Sequence, residues 1–177
     1  MKLTVIVVAA ASLLTGCVVY ANGSGGWGDD DLKHETRELS LAAADLTRFE
    51  IDAGAGSLEV VGEQGRSVID VVAEVYYNEK DEIELSLTQD GDQAELVADA
   101  SRSGWSDSSP HINLTVYMPE AMALDVNDGS GSISINGIDA DVDIHDGSGS
   151  LEVRDIGGDL DIDDGSGSVS TENVGNH

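Results

Sequence analysis

The chain has 177 residues, 40% hydrophobic and only 4% aromatic, with 21 glycines and 2 prolines. That is one domain's worth of residues, with an aliphatic core and many tight turns rather than proline-made kinks. A formal net charge of −27, from 35 acidic and 8 basic residues spread along the chain, excludes nucleic acid as a partner. Phosphate contacts need clustered Lys and Arg. One cysteine, Cys17, excludes an internal disulfide and a cysteine-based metal cage.

Residues 1–16 read as a signal peptide. Lys2 is a short positive n-region, and Leu3 to Leu14 is an almost wholly apolar h-region, too short for an ordinary membrane span. Leu14-Thr15-Gly16-Cys17 resembles the lipobox of bacterial lipoproteins. The resemblance implies that Leu14, Thr15 and Gly16 are the peptidase recognition residues and that Cys17 is the lipid acceptor and new N-terminus. The expected address is the bacterial cell envelope, lipid-anchored. Val18 is not the Asp that retains lipoproteins at an inner membrane, so the outer membrane is favoured in a two-membrane cell.

Residues 17–45 are expected to be a flexible acidic tether. Asn22-Gly23-Ser24-Gly25-Gly26 makes a leash, Asp29-Asp30-Asp31 keeps it extended, and Glu38 to Leu46 is compatible with about one helical turn. The folded domain is expected to begin near Leu46.

Residues 46–123 contain strands with one buried face. Ile69, Val71, Ala73 and Val75 alternate, as do Ile83, Leu85 and Leu87. Asp90-Gly91 is a hairpin signal before Ala94 and Leu96. Ile112, Leu114, Val116 and Met118 alternate ahead of Pro119, and 99–111 is the longest stretch without a pattern. Trp105, within it, suits a loop anchor or a ligand-stacking residue.

Residues 124–177 carry a repeat. Asp-Gly-Ser-Gly-Ser occurs at 128–132, 146–150 and 164–168, a period of 18. At that period Leu124, Val142 and Leu160 fall in one column, and Val126, Ile144 and Ile162 in the next. Ile133, Leu151 and Val169 follow, then Ile135, Val153 and Thr171, then Ile138, Ile156 and Val174. Two short strands per 18 residues, joined by glycine turns, predict one rung of a β-solenoid. Phe49 to Val60 repeats the pattern of Val142 to Val153. The predicted fold is therefore all-β, a single-stranded β-helix-like solenoid with 18-residue rungs, preceded by longer alternating strands.

The run DAGAGSLEVVG, the alternating middle, and then YMPEAMALDVNDGSGSISINGIDADVDIHDGSGSLEV resemble the adhesin-type β-strand-repeat domain of unknown function, also called the toastrack domain. The resemblance covers about residues 46–177. It implies the fold and no established catalytic residues. Some members resemble components of envelope-stress signalling.

The expected chemistry is sparse. Asp128, Gly129 and Gly131, Asp146, Gly147 and Gly149, and Asp164, Gly165 and Gly167 are the repeat-turn residues, each Asp expected to accept turn N–H bonds and face water. Acidic columns also form at Asp125, Asp143 and Asp161, and at Asp141 and Asp159. Asp128, Asp146 and Asp164 are the carboxylates open to a bridging Ca²⁺, but the calcium nonapeptide G-G-x-G-x-D fails. Its ligand position holds Ile133, Leu151 or Val169. No metal and no cofactor is therefore assigned. His34, His111, His145 and His177 are scattered, and Ser130, Ser148 and Ser166 lack a nucleophile elbow. The expected role is a non-enzymatic surface lipoprotein that binds, scaffolds or adheres. An envelope-stress accessory and a Ca²⁺-responsive module are the alternatives. The final rung, ending at His177 without a recognisable cap, is expected to pair with a partner or a second copy.

Overall fold

The computed structural model describes residues 20–22, 32–103 and 109–175. The signal segment, Cys17, most of the leash and Trp105 lie outside the described residues. The strands in chain order are β1 (Tyr20–Asn22), β2 (Lys33–Ala42), β3 (Arg48–Glu63), β4 (Val68–Tyr77), β5 (Glu82–Asp90) and β6 (Gln93–Ser101). They continue with β7 (His111–Pro119), β8 (Ala123–Ile138), β9 (Val142–Asp146), β10 (Gly149–Ile156), β11 (Leu160–Asp164) and β12 (Gly167–Val174). No helix occurs among the described residues.

Two hydrogen-bonded ladders share β3 and β8. The first half of each joins the order β5-β6-β3-β8-β9-β11. The second half of each joins β1-β2-β4-β7-β3-β8-β10-β12. Every pairing made by β3, and every pairing among β8 to β12, is parallel, and these rungs step by the sequence period. Leu124 stands beside Val142 and Val142 beside Leu160, while Ile133 stands beside Leu151 and Leu151 beside Val169. The stretch Phe49 to Val60 is one rung earlier, with Phe49 beside Leu124 and Leu58 beside Ile133. Between β3 and β8 the chain detours through β4–β7, and β6 and β7 cover the other side of β3.

Alternation decides which side chains face inward. Phe49, Ile51, Val60, Ile69, Leu96, Val116, Val126 and Ile144 have almost no exposed surface, and both ladders feed one aliphatic cluster. Each such side chain contributes roughly 1.5–3 kcal/mol on burial. Burial fades at the last rung, where Leu160, Ile162 and Val174 are only partly covered.

The expected tether does not reach residue 45. Lys33–Ala42 is a full strand, paired antiparallel with β4 from Lys33 opposite Tyr77 to Ala42 opposite Val68. No helical turn forms over Glu38 to Leu46: Glu38 to Ala42 lie in β2. Leu39, Leu41 and Ala43 alternate and are buried, so pairing with a strand edge and burial of one face outweigh a weak helical preference.

Candidate functional site

The buried polar side chains of the described residues, Asp128 and Asp146, lie at the corner where each rung turns from the first ladder into the second. β3 and β8 run straight through it, and later rungs break there into β9–β10 and β11–β12. The backbone at this corner is packed too tightly for side chains. A Cβ on Gly131, whose φ is +147°, would lie 1.6 Å from the carbonyl oxygen of Gly56. A Cβ on Gly149 would lie 1.7 Å from that of Gly131, one on Gly167 1.9 Å from that of Gly149, and ones on Gly129, Gly147 and Gly165 2.5–2.7 Å from the oxygens before them. Inter-rung hydrogen bonds run unbroken round the turn. Gly147 N donates to Asp128 O at 2.9 Å, Gly165 N to Asp146 O at 2.8 Å, and Gly131 N to Ser148 O at 3.1 Å.

The three turn aspartates stack in register, Asp128 beside Asp146 and Asp146 beside Asp164. Contrary to the expectation of water-facing carboxylates, Asp128 and Asp146 are buried, 8% and 5% exposed. Parity is the reason: Leu124, Val126 and Asp128 share one face of β8, and Val142, Ile144 and Asp146 share one face of β9. The Asx-type bond is present in the middle rung, where Ser148 N donates to Asp146 Oδ1 at 3.1 Å. Burial, with the charge of Asp146, pushes the Asp128 carboxyl up to about 7. Burial also raises Asp146, aided by Asp164 and opposed by the Ser148 N–H.

A shallow groove of about 610 Å³ runs over this corner, lined by Asp52, Asn127, Asp128, His145, Asp146 and Asp163 among others. No group of three or more His, Cys, Asp or Glu placed to hold a metal ion occurs among the described residues. The outward acid columns are relieved locally. Arg48 Nε donates to Asp125 Oδ2 at 2.8 Å, and Asp159 N donates to Asp141 Oδ1 at 2.9 Å. His145 lies 3.4 Å from Asp143 and 3.9 Å from Asp163.

Two features escape the sequence reading. His34 and His111 are not isolated: they sandwich Tyr76, with ring centroids 4.4 and 4.6 Å away, across β2, β4 and β7. Glu74 Oε2 lies 3.1 Å from His34 Nε2. Gly137, Asp155 and Asn173, spaced by the repeat, all adopt positive φ. Gly, Asp and Asn are the residues that tolerate that conformation, so this second corner could have been found from their spacing.

The other exceptional surface is the last rung. β11 pairs only with β9 and β12 only with β10 among the described residues, which leaves their outer edges open. Val169, on β12, is the exposed large hydrophobic side chain of the described residues, at 45%.

No family model and no curated protein matches the chain. Solved structures do. One described as a "putative cell adhesion protein" from Clostridium sporogenes matches 77% of this chain and 99% of its own, with a TM-score of 0.50 and 13% identity. A "putative adhesin" from Parabacteroides distasonis matches 82% of this chain and 66% of its own, with a TM-score of 0.37 and 15% identity. Another from Bacteroides fragilis matches 77% and 96%, with a TM-score of 0.28 and 9% identity. The likeness to the Clostridium sporogenes structure is one of fold, and it is the strand-rich fold that the resemblance to adhesin-type repeats implies.

Proposed function

We propose that this protein is a non-enzymatic surface lipoprotein of the bacterial envelope, with an adhesive or scaffolding role. Cys17 carries the lipid, three residues ahead of β1, which is already paired with β2, so the anchor sits close to the sheet. The observation that carries the adhesive reading is the β11–β12 rung, whose outer edges are unpaired among the described residues and where Val169 is exposed. Backbone N–H and C=O groups on such an edge recruit another strand by β-augmentation, and proteins that do not use an edge usually cover it. The partner is another protein or a second copy. The rest of the surface, a repeat of short and nearly identical turns, suits an extended contact better than a unique reaction centre. The adhesin names of the fold neighbours agree with this role.

Display on a host cell tests the reading. The parent should increase cell–cell or cell–surface retention. Cys17→Ser should leave the membrane fraction and lose the effect. Val169→Pro removes one edge donor and should weaken retention while the protein stays folded and anchored. Retention by the parent equal to that of cells without it would refute the adhesive role, and Cys17→Ser remaining in carbonate-washed membranes would refute the anchor.

A further inference from the structure

The corner column reads Ala98, Ala53, Asp128, Asp146, Asp164 from β6 to β11. Its first two members are buried and apolar, at 2% and 9% exposure. The next two are buried carboxyls, and Asp164 is partly covered on the open rung. One oxygen on each, Oδ2 of Asp128, Oδ2 of Asp146 and Oδ1 of Asp164, is buried without a hydrogen-bond partner. The groups that surround the column are Asp52 on β3, Asp99 behind Gly54, Asn127 on β8, His145 on β9 and Asp163 on β11. His145, the basic side chain of the groove, is near Asp143 and Asp163.

Two buried carboxylates about 4.8 Å apart, with a third partly covered beyond them, cannot both stay charged without a neutralising partner. Either protons or a metal ion must neutralise them. A divalent cation takes six or more oxygens gathered round a point. Here the carboxyls lie in line, one per rung, and no metal-holding group forms among the described residues.

We propose that Asp128 and Asp146 form a proton-holding carboxyl pair that clamps consecutive rungs, with the buried oxygen of Asp164 next in line, so that the solenoid tightens as its surroundings acidify. As the pH falls, Asp128 and Asp146 take protons from water, and each new O–H donates to the carboxyl oxygen of a neighbouring rung. As the pH rises, the protons return to water and adjacent carboxylates repel. The upward shifts of Asp128 and Asp146 agree with this geometry.

The sign is fixed by linkage. The native Asp128 carboxyl titrates at about 7, against about 3.9 for an unfolded aspartate. Between these values the native state holds a proton that the unfolded chain has released. Stability is therefore full below about pH 4 and falls as the pH rises through about 7. The exposed carboxylates Glu79 and Asp81 have the opposite tendency. Lys33 lowers Glu79, the backbone N–H of Asn78 lowers Asp81, and both favour the native state at higher pH.

The test is denaturation of the full chain in detergent at constant ionic strength from pH 5 to 8. Asp128 alone should change the unfolding constant on the order of 100-fold across that range, a shift of about 5–10 °C in Tm with the higher value at pH 5. Asp128→Asn should flatten the profile and exceed the parent at pH 8. Infrared spectra of the parent at pH 6 should show the carbonyl band of a protonated carboxylic acid, a readout that survives even if the variant does not fold. The proposal is overturned by a parent profile that rises with pH, by an Asp128→Asn profile that keeps the parent's slope, or by absence of that band. Stoichiometric stabilisation of the parent at pH 8 by micromolar Ca²⁺ or Mg²⁺, lost in Asp128→Asn, would also overturn it and make the column a cation site.

Discussion

Adding one methyl group at Gly131, the glycine whose Cβ would meet the shortest backbone contact among the described residues, should destabilise the domain severely. The new Cβ would sit 1.6 Å from Gly56 O and 2.7 Å from the carbonyl carbon behind it. A carbon–oxygen contact settles at about 3.3 Å or more, so β8 must retreat from β3 by more than an ångström at the corner. Such a retreat breaks two or three inter-rung backbone bonds at about 1 kcal/mol each. The backbone at φ +147° adds strain of about 1–3 kcal/mol. The sum is about 3–6 kcal/mol, a large part of the 5–15 kcal/mol typical of a domain. Urea denaturation followed by far-UV circular dichroism measures it. Gly91→Ala is the control, since its φ is +63° but nothing lies within 4 Å of the added carbon. It should cost about 1–2 kcal/mol. If Gly131→Ala costs no more than Gly91→Ala, the close approach of the rungs at this corner is wrong.

Ile144→Asp should be as damaging, since Ile144 has no exposed surface in the middle of a column. An unpaired buried charge there costs about 3–5 kcal/mol. The equivalent change at half-covered Ile162 should cost clearly less and fray the last rung alone, which amide exchange can localise. With a net charge of −27, stability should rise smoothly with NaCl as the outward columns of Asp125, Asp143 and Asp161 are screened. A flat melting temperature from low salt to several hundred millimolar would show that their repulsion is already relieved.

The repeat rungs were legible because one period controls everything in them: 18 residues fix the register, the inward columns and the corner glycines together. Even the early rung at Phe49 to Val60 could be aligned, although the detour that separates it from β8 could not be placed. The inward aspartates were legible too, by continuing the alternation Leu124, Val126 to Asp128. The turn preference of Asp-Gly pointed instead to a water-facing carboxylate, and burial of the column overrode it. β2 was hidden because Lys33–Ala42 is polar at its start and finds its partner, β4, only across the intervening β3. The ring stack of His34, Tyr76 and His111 was invisible for the same reason, as it depends on the side-by-side order of β2, β4 and β7.

The detour between β3 and β8 sets an order of events for folding. Rungs after β8 close loops of 18 residues, whereas Phe49 must meet Leu124. Loop-closure entropy grows slowly with length, but the rate falls as contacts become less local. The β8-facing edge of β3 therefore stays unpaired until residues near 135 have left the ribosome or translocon, although β6 and β7 can pair with its other side earlier, and the short rungs can add only after that long closure has made a template. Growth of the ladder then runs from β8 towards β12. The last rung is the last to form and the first to open, so the edge available to a partner is also the part of the domain that exchanges most readily with solvent.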